Sequence, residues 1–291
     1  MITSDALVDG VHFVSETMDA RAIGHRAMAA NLSDIAAMAA RPVLATVVLC
    51  VGPATSQAWI LEAYRGMSAL AAAHGTRIVG GDIVRAPAAS LSITLVGEVA
   101  RTRMKTRSGG RPNDVLAVTG PLGASRAGLE LTVRPRDVDA SARAAALAAF
   151  ATPQPRVREG RWLGASSYVH AMIDLSDGVS TDAGRLARTS ACGAEIGAVP
   201  IAGAAEVIAR AAGDDPRAYA LDGGEDFELL VAVQPRAFAH LAAAYAKRFG
   251  SALIRVGRLT REPGVRSAGT PDGAPRELVA AGWDHLARPR L

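Results

Sequence analysis

Acidic residues beside glycine, serine or another acid recur at five separated places in this chain, and a run of strand-like residues leads into four of them. The places are Asp5 in Ile2-Thr3-Ser4-Asp5, Asp34 in Asn31-Leu32-Ser33-Asp34, Asp82 in Gly80-Gly81-Asp82, Asp174 and Asp177 in Asp174-Leu175-Ser176-Asp177-Gly178, and Glu225 and Asp226 in Gly223-Gly224-Glu225-Asp226. Asp34 differs from the rest because it falls inside a predicted helix. A chain patterned this way must carry several buried strands up to one polar surface. That requirement favours helices layered on sheets over a pure bundle or sandwich.

Carboxylates next to glycine or serine at strand ends supply hard oxygen ligands for Mg²⁺ and bare backbone N–H groups for phosphate. One such place is ordinary; five suggest a multi-metal nucleotide site. The composition allows it. The chain has 291 residues, 49% of them hydrophobic, with a formal net charge of +4, and Lys105 and Lys247 are its only lysines. The positive charge is therefore arginine, which suits bidentate phosphate contacts. No basic block or basic-aromatic stripe is present, so a nucleic-acid partner is not expected. Cys50 and Cys192 are too few for a disulfide framework or a Cys-type zinc site. Charged residues interrupt every long apolar stretch, so no membrane span and a cytoplasmic location are expected.

Asp19 can cap a helix running to about residue 40 and stopped by Pro42. A strand over 43–51, a helix to Gly75, a short strand over 77–79 and a strand over 91–99 follow. Residues 101–113 are polar and carry glycine and proline, which places a boundary near residue 110 between two α/β domains, 1–110 and 111–291. The second half reads as a strand at 115–118, helices near 124–132, 138–150 and 156–166, and a strand from 170 into Asp174. A helix to about 190, a strand at 227–233, a helix near 235–248 and a strand at 252–256 complete it. From residue 264 on the sequence is proline-rich and reads as irregular, apart from Gly282-Trp283-Asp284-His285.

Each constellation has a functional and a plain reading. Asp34 shares a helical stripe with Ile23, Ala27, Ala30 and Met38. A carboxylate there is costly unless a cation or donors meet it, or else it sits on the rim of that stripe. Asp174 and Asp177 stand where a helix N-terminus can receive phosphate, or they form an ordinary N-cap cluster. Gly223-Gly224-Glu225-Asp226 and Gly80-Gly81-Asp82 permit close ligand approach, or they are tight turns with solvated acids. Arg107 can hold an anion or belong to a basic linker. His12 can contact a substrate phosphate or be structural. Trp283 can stack on an aromatic ligand or anchor a surface. The glycine fingerprint of dinucleotide-binding folds and the Gly-Lys-Ser/Thr of a P-loop are both missing, so any ATP is bound through metals and arginine.

Taken together in order, these motifs resemble the thiamine-monophosphate kinase family of the aminoimidazole ribonucleotide synthetase-like superfamily. Residues 3–13 look like that family's first substrate and metal segment, and Asn31-Leu32-Ser33-Asp34-Ile35-Ala36-Ala37-Met38 is similar to its most distinctive helix. Gly80-Gly81-Asp82, Thr106-Arg107-Ser108-Gly109, Asp174 to Gly178, Leu221 to Leu229 and Gly282-Trp283-Asp284-His285 follow in register. The resemblance implies a two-domain α/β fold of mixed sheets flanked by helices. It also implies ATP-dependent phosphorylation of thiamine monophosphate with several Mg²⁺ ions, and a homodimer formed through the first domain. It makes Asp5, Asp34, Asp82, Asp174 and Asp177 metal ligands. Ser4, Gly81, Arg107 and Ser176 become nucleotide contacts, and His12, Glu225 and Trp283 line the thiamine site. The family also carries an upstream Gly-x-Gly-Asp-Asp segment that does not occur here, so weak metal binding and slow turnover are expected of these residues. Ile83 and Val84 stand where the family usually has two threonines. The alternative expectation is another ATP-using member of the superfamily, or a catalytically impaired nucleotide-binding protein.

Overall fold

The computed structural model describes residues 1–267 and 276–279. Two sheets organise them. The first has the order β1 (Ile2–Val8), β4 (Ser90–Glu98), β2 (Arg41–Val51), β3 (Arg77–Arg85), antiparallel except for the parallel β2–β3 pair. The second runs β11 (Arg276–Glu277), β10 (Val265–Ser267), β7 (Gly193–Ile196), β9 (Ile254–Thr260), β5 (Val115–Val118), β8 (Leu229–Val233), β6 (Val169–Asp174). It too is mixed, with β7 and β10 parallel. The helices are α1 (Ala20–Ala37), α2 (Gln57–Ala73), α3 (Ala124–Val133), α4 (Ala140–Ala151), α5 (Val157–Gly164), α6 (Val179–Thr189), α7 (Gly203–Ala212), α8 (Pro216–Asp222) and α9 (Pro235–Phe249).

α1 is the spine. Asp19 caps it through its side chain, which accepts the Ala22 N–H at 3.2 Å. It is buried nearly all round, because β1 and β4, α2, and α5 with β6 all pack against it. It ends at Ala37, and Ala39 turns left-handed at φ +59°. Pro42 therefore lies inside β2, not at a helix stop. It pairs only with β4 there, at Gly97, before β3 joins at Leu44, so its missing N–H costs no ladder bond.

Three further readings are corrected. β3 runs on through Gly80-Gly81-Asp82 to Arg85, so Asp82 is mid-strand, and Asp5 likewise sits within β1. Short β-strands occupy 265–267 and 276–277, where irregular chain was expected. Sequence reasoning also missed β7, α7 and α8, although the buried Ala205, Ile208 and Ala209 of α7 follow helical spacing. Trp283 lies outside the described residues.

One hydrophobic core crosses between the sheets. Ile23, Leu32 and Ile35 of α1 join Leu91 and Ile93 of β4 with Met172 of β6 and Leu229, Val231 and Val233 of β8. The alternate residues of β8, Leu230 and Ala232, feed a second core with Ile173, Val179 and Leu186. His25 Nε2 meets the Pro153 carbonyl at 2.8 Å and adds a polar tie between the two halves.

Candidate active site

The inward face of β1 alternates Thr3, Asp5, Leu7, and Leu7 reaches the core while Asp5 stops at its edge. There Asp5 faces Asp34, which projects from the last turns of α1 and accepts a hydrogen bond from the Thr3 hydroxyl. β6 ends at Asp174, which is buried and receives the Ser33 hydroxyl of α1 at 2.7 Å. Three residues on, Asp177 sits just ahead of the N-terminus of α6 and pairs with Arg185. Asp5 of β1, Asp34 of α1, Asp174 of β6 and Asp177 ahead of α6 thus lie within electrostatic reach of this one region.

Their electrostatics record the crowding. Burial pushes the Asp5 carboxyl up to about 6, and the negative charges of Asp34 and Asp177 add to this. Burial also raises Asp34, against the opposing pull of the Thr3 hydroxyl, Asp5 and the Arg107 guanidinium. Asp174 is pushed up to about 8, first by burial and then by Asp34, with the Ser33 hydroxyl working against both. An acid whose charge is disfavoured by burial and by neighbouring acids will release its proton when a cation arrives. The donors are all hard oxygens, with no His or Cys among them. One turn before Asp34, the side-chain oxygen of Asn31 is buried with no partner. That chemistry fits Mg²⁺. Among the described residues, however, no three His, Cys, Asp or Glu side chains are already closed around one point. The set suits an ion that keeps waters and substrate phosphates in its shell and takes only one or two carboxylates from the protein.

Asp82 and Ser4 do not join this group. Asp82 pairs in register with the exposed Val48, on the face of the first sheet turned away from α1 and α2. β3 also lies three strand positions from β1, roughly 14 Å at the usual strand spacing. Ser4 points to that same outer face and shares a hydrogen bond with Thr94 at 3.1 Å. Gly81 has a structural reason for its identity: at φ +154° a Cβ would lie 1.8 Å from the Val47 carbonyl oxygen. Lys105 is occupied by the carbonyls of Ser166 and Val169 at 3.0 and 2.8 Å, which leaves Arg107 as the cation facing Asp34.

The loop after α8 is stitched to the Asp174 loop by backbone bonds. Glu225 N–H donates to the Ser176 carbonyl at 2.8 Å, Phe227 N–H to Leu175 at 3.1 Å, and Leu175 N–H to Glu228 at 2.8 Å. Gly224 makes this approach possible, since a Cβ there would stand 2.7 Å from the Ser176 carbonyl oxygen. The stitching carries Glu225 to the turn after β1, where the His12 Nδ1 accepts the Val8 N–H at 3.1 Å. Glu225 and His12, far apart in sequence, meet through Arg26 of α1. Its guanidinium donates to Glu225 at 2.7 Å and to the His12 carbonyl at 3.4 Å.

Sequence reasoning missed Arg26, Arg185, Asp182 and the buried pair of Glu228 with Arg156. Arg185 donates to Asp182 at 2.8 Å as well as to Asp177, so one guanidinium offsets two acids. Arg156 grips Glu228 with two nitrogens, and Thr119 donates to the same carboxylate at 2.6 Å. Beside this pair a cleft of about 360 Å³ opens over Ala148, Ala149, Gln154 and Asp226. A signal for Arg26 was present: it lies three residues after Ile23 and eight before Asp34, so it shares their apolar stripe.

Comparison with known proteins agrees with this geometry. The family described as AIR synthase related protein matches over residues 1–99 with its N-terminal domain and over 111–269 with its C-terminal domain. The thiamine-monophosphate kinase of Synechococcus elongatus is 33% identical over 273 residues, covering 91% of this chain and 80% of that protein. The crystal structure of thiamine-monophosphate kinase from Stenotrophomonas maltophilia superposes with a TM-score of 0.84 at 34% identity, covering 96% of this chain and 86% of that one. The structure of AaThiL complexed with AMPPCP and TMP gives a TM-score of 0.85 at 28% identity, with coverage of 98% and 86%. With identity sustained across nearly the whole length and with the fold in agreement, the chain belongs to the thiamine-monophosphate kinase family of AIR synthase related proteins.

Proposed function

We propose that this chain transfers the terminal phosphoryl group of ATP to the phosphate of thiamine monophosphate, giving thiamine diphosphate in thiamine biosynthesis. The observation that carries the reading is the convergence of Asp5, Asp34, Asp174 and Asp177 at one end of α1, with Glu225 and His12 gathered at the other. The acceptor is itself a phosphate, so its oxygen is nucleophilic without a strong base. The barrier lies in bringing two polyanions together.

In this reading Asp5, Asp34, Asp174 and Asp177 hold Mg²⁺, which would neutralise the phosphate oxygens and align them for in-line transfer. Arg107 offers its guanidinium to the nucleotide phosphates and Ser176 lines their path. Arg185 pairs with both Asp177 and Asp182 and so fixes their orientation. At the far end Glu225 meets the cationic thiazolium, with His12 beside it and Trp283 assigned to the thiamine rings. Ser4 and Asp82, on the outer face of the first sheet, stand apart from this set.

That face also supports a homodimer. Ile2, Val48 and Val84 lie on it, exposed by 71%, 42% and 40%, and a second copy would cover them. The two domains meet near residue 110 in this reading. No helix among the described residues is long and apolar enough to cross a membrane. Cys50 and Cys192 are both free, which suits the reducing cytoplasm.

The test is thermal unfolding with ATP and Mg²⁺, then assay of thiamine diphosphate formation. A ligand that binds only the folded chain raises its midpoint by mass action. A midpoint unmoved by any nucleotide at saturating concentration, with Mg²⁺ present, would overturn the reading.

A further inference from the structure

Arg26 is a charged residue that the phosphoryl chemistry leaves unused, and it is only 2% exposed. One guanidinium nitrogen donates to the Phe150 carbonyl, and the other divides between Glu225 Oε2 and the His12 carbonyl. The guanidinium carbon lies 4.2 Å from the centre of the Phe150 ring. Its Nε is buried with no hydrogen-bond partner. Burying a guanidinium and leaving one donor unmatched stabilises a fold less than an apolar side chain of that size would. Stability therefore does not explain the residue, and its contacts do.

Glu225 takes a left-handed backbone at φ +53° and Phe227 does the same at φ +49°, conformations that side-chain-bearing residues adopt only when their surroundings impose them. The backbone end of this loop is held by the Ser176 and Leu175 carbonyls. Arg26 supplies the hold at the side-chain end. It occupies Oε2, while Oε1 has no partner among the described residues and the Glu225 side chain is 34% exposed. The ion pair uses one carboxylate oxygen and presents the other. Arg26 and Asp34 are eight residues apart on one helix, about 12 Å along its axis, so a single rigid element sets the spacing between the phosphate end and the cation end.

We infer that Arg26 is a positioning residue for substrate recognition. It crosses from α1 to hold Glu225 so that the free oxygen faces the cationic ring of the thiamine phosphate, and it thereby sets affinity for that substrate and not for the nucleotide. The inference rests on the proposed function insofar as Glu225 is taken to line the thiamine site.

The experiment compares the full chain with Arg26→Met, Arg26→Lys and Glu225→Gln. Arg26→Met should raise KM for thiamine monophosphate at least tenfold, leave KM for ATP within twofold, and lower kcat by less than KM rises. Arg26→Lys, which keeps a charge on Glu225 but cannot span the other two carbonyls, should recover part of that loss. Adding Glu225→Gln to Arg26→Met should cost little more than either change alone. Hydrogen exchange at the Glu225 and Phe227 amides, measured without any ligand, should quicken at least tenfold in Arg26→Met. Equal rises in both KM values, or an unchanged KM for thiamine monophosphate, would overturn the inference. Unchanged amide exchange would overturn it even if the parent chain proves inactive. Conversely, a parent that neither binds nor phosphorylates thiamine monophosphate, while exchange responds as stated, removes the functional reading and leaves Arg26 as the residue that positions Glu225.

Discussion

Strands β4 and β8 are each paired on both edges, yet they are built on different rules. β4 alternates Ser90, Ser92, Thr94 and Val96 outward with Leu91, Ile93 and Leu95 inward, and only the inward set is buried. β8, Leu229-Leu230-Val231-Ala232-Val233, is buried at every position because each of its faces has its own core. The first sheet is thus covered by helices on one side and keeps an open face. The second is closed on both sides and serves as the frame. The comparison also explains where the site lies. α1 covers the inner face of the first sheet and packs against β6 and the β8-side core of the second, so acids from both sheets can reach only one shared edge.

The severest way to test that shared edge is Asp34→Asn. It should abolish stabilisation by Mg²⁺ and ATP and cut turnover by about 10²–10³, the usual cost of losing one preorganised electrostatic contact. The unliganded fold should persist with an equal or higher unfolding midpoint, since a crowded, partly buried charge is gone. Leu32→Ala, two residues away and fully buried, should instead mainly destabilise. Unfolding scans with and without nucleotide separate the two, and nucleotide binding by Asp34→Asn as tight as the parent's would remove Asp34 from the metal set.

The contrast between the strands is itself open to attack. Leu229→Ala and Leu230→Ala, adjacent residues on opposite faces of β8, should each cost about 2–5 kcal/mol. Of the adjacent pair Ser92 and Ile93 in β4, only Ile93→Ala should cost that much, while Ser92→Ala should stay within about 0.5 kcal/mol. Denaturant midpoints measure all four. A large loss at Ser92 would mean that the open face is packed against something.

A smaller effect concerns what covers that face. Val48→Asp places a charge on that face, and, with the proposed homodimer, should leave the chain monomeric by light scattering while keeping its secondary structure. A parent that is monomeric at high concentration would refute the dimer.

The smallest effect is a pH slope. Burial, helped by the Glu228 charge, pushes the Asp226 carboxyl up to about 7 against the pull of the Gly123, Ser125 and Ala124 N–H groups. An unfolded Asp titrates near about 3.9. Between those values the folded chain retains a proton that the unfolded chain has released, so stability falls as pH rises through the window and levels off above it. Asp226→Asn cannot release that proton, and its single carbonyl oxygen can still accept one of the two N–H bonds. Its unfolding midpoint should fall less steeply between pH 4 and 7 than the parent's. Parallel curves would show that Asp226 is ionised throughout.

By itself the sequence determined the α1 helix with its Asp19 cap, the continuous apolar run of β8, the alternation of β4, and the acids of the Asp34 and Asp174 motifs. Each of these depends on neighbours within a few residues, where periodicity and capping act. Only the tertiary structure decided which charges meet. Arg26 finds Glu225 across 199 positions of sequence and Ser33 finds Asp174 across 141, while Asp82 and Ser4, equally good candidates in their local motifs, face away on the open side of the sheet. The reason is that a strand's faces alternate with every residue and a sheet's order is set by long-range pairing. Local pattern fixes what a side chain can do, and only the packed chain fixes what it faces.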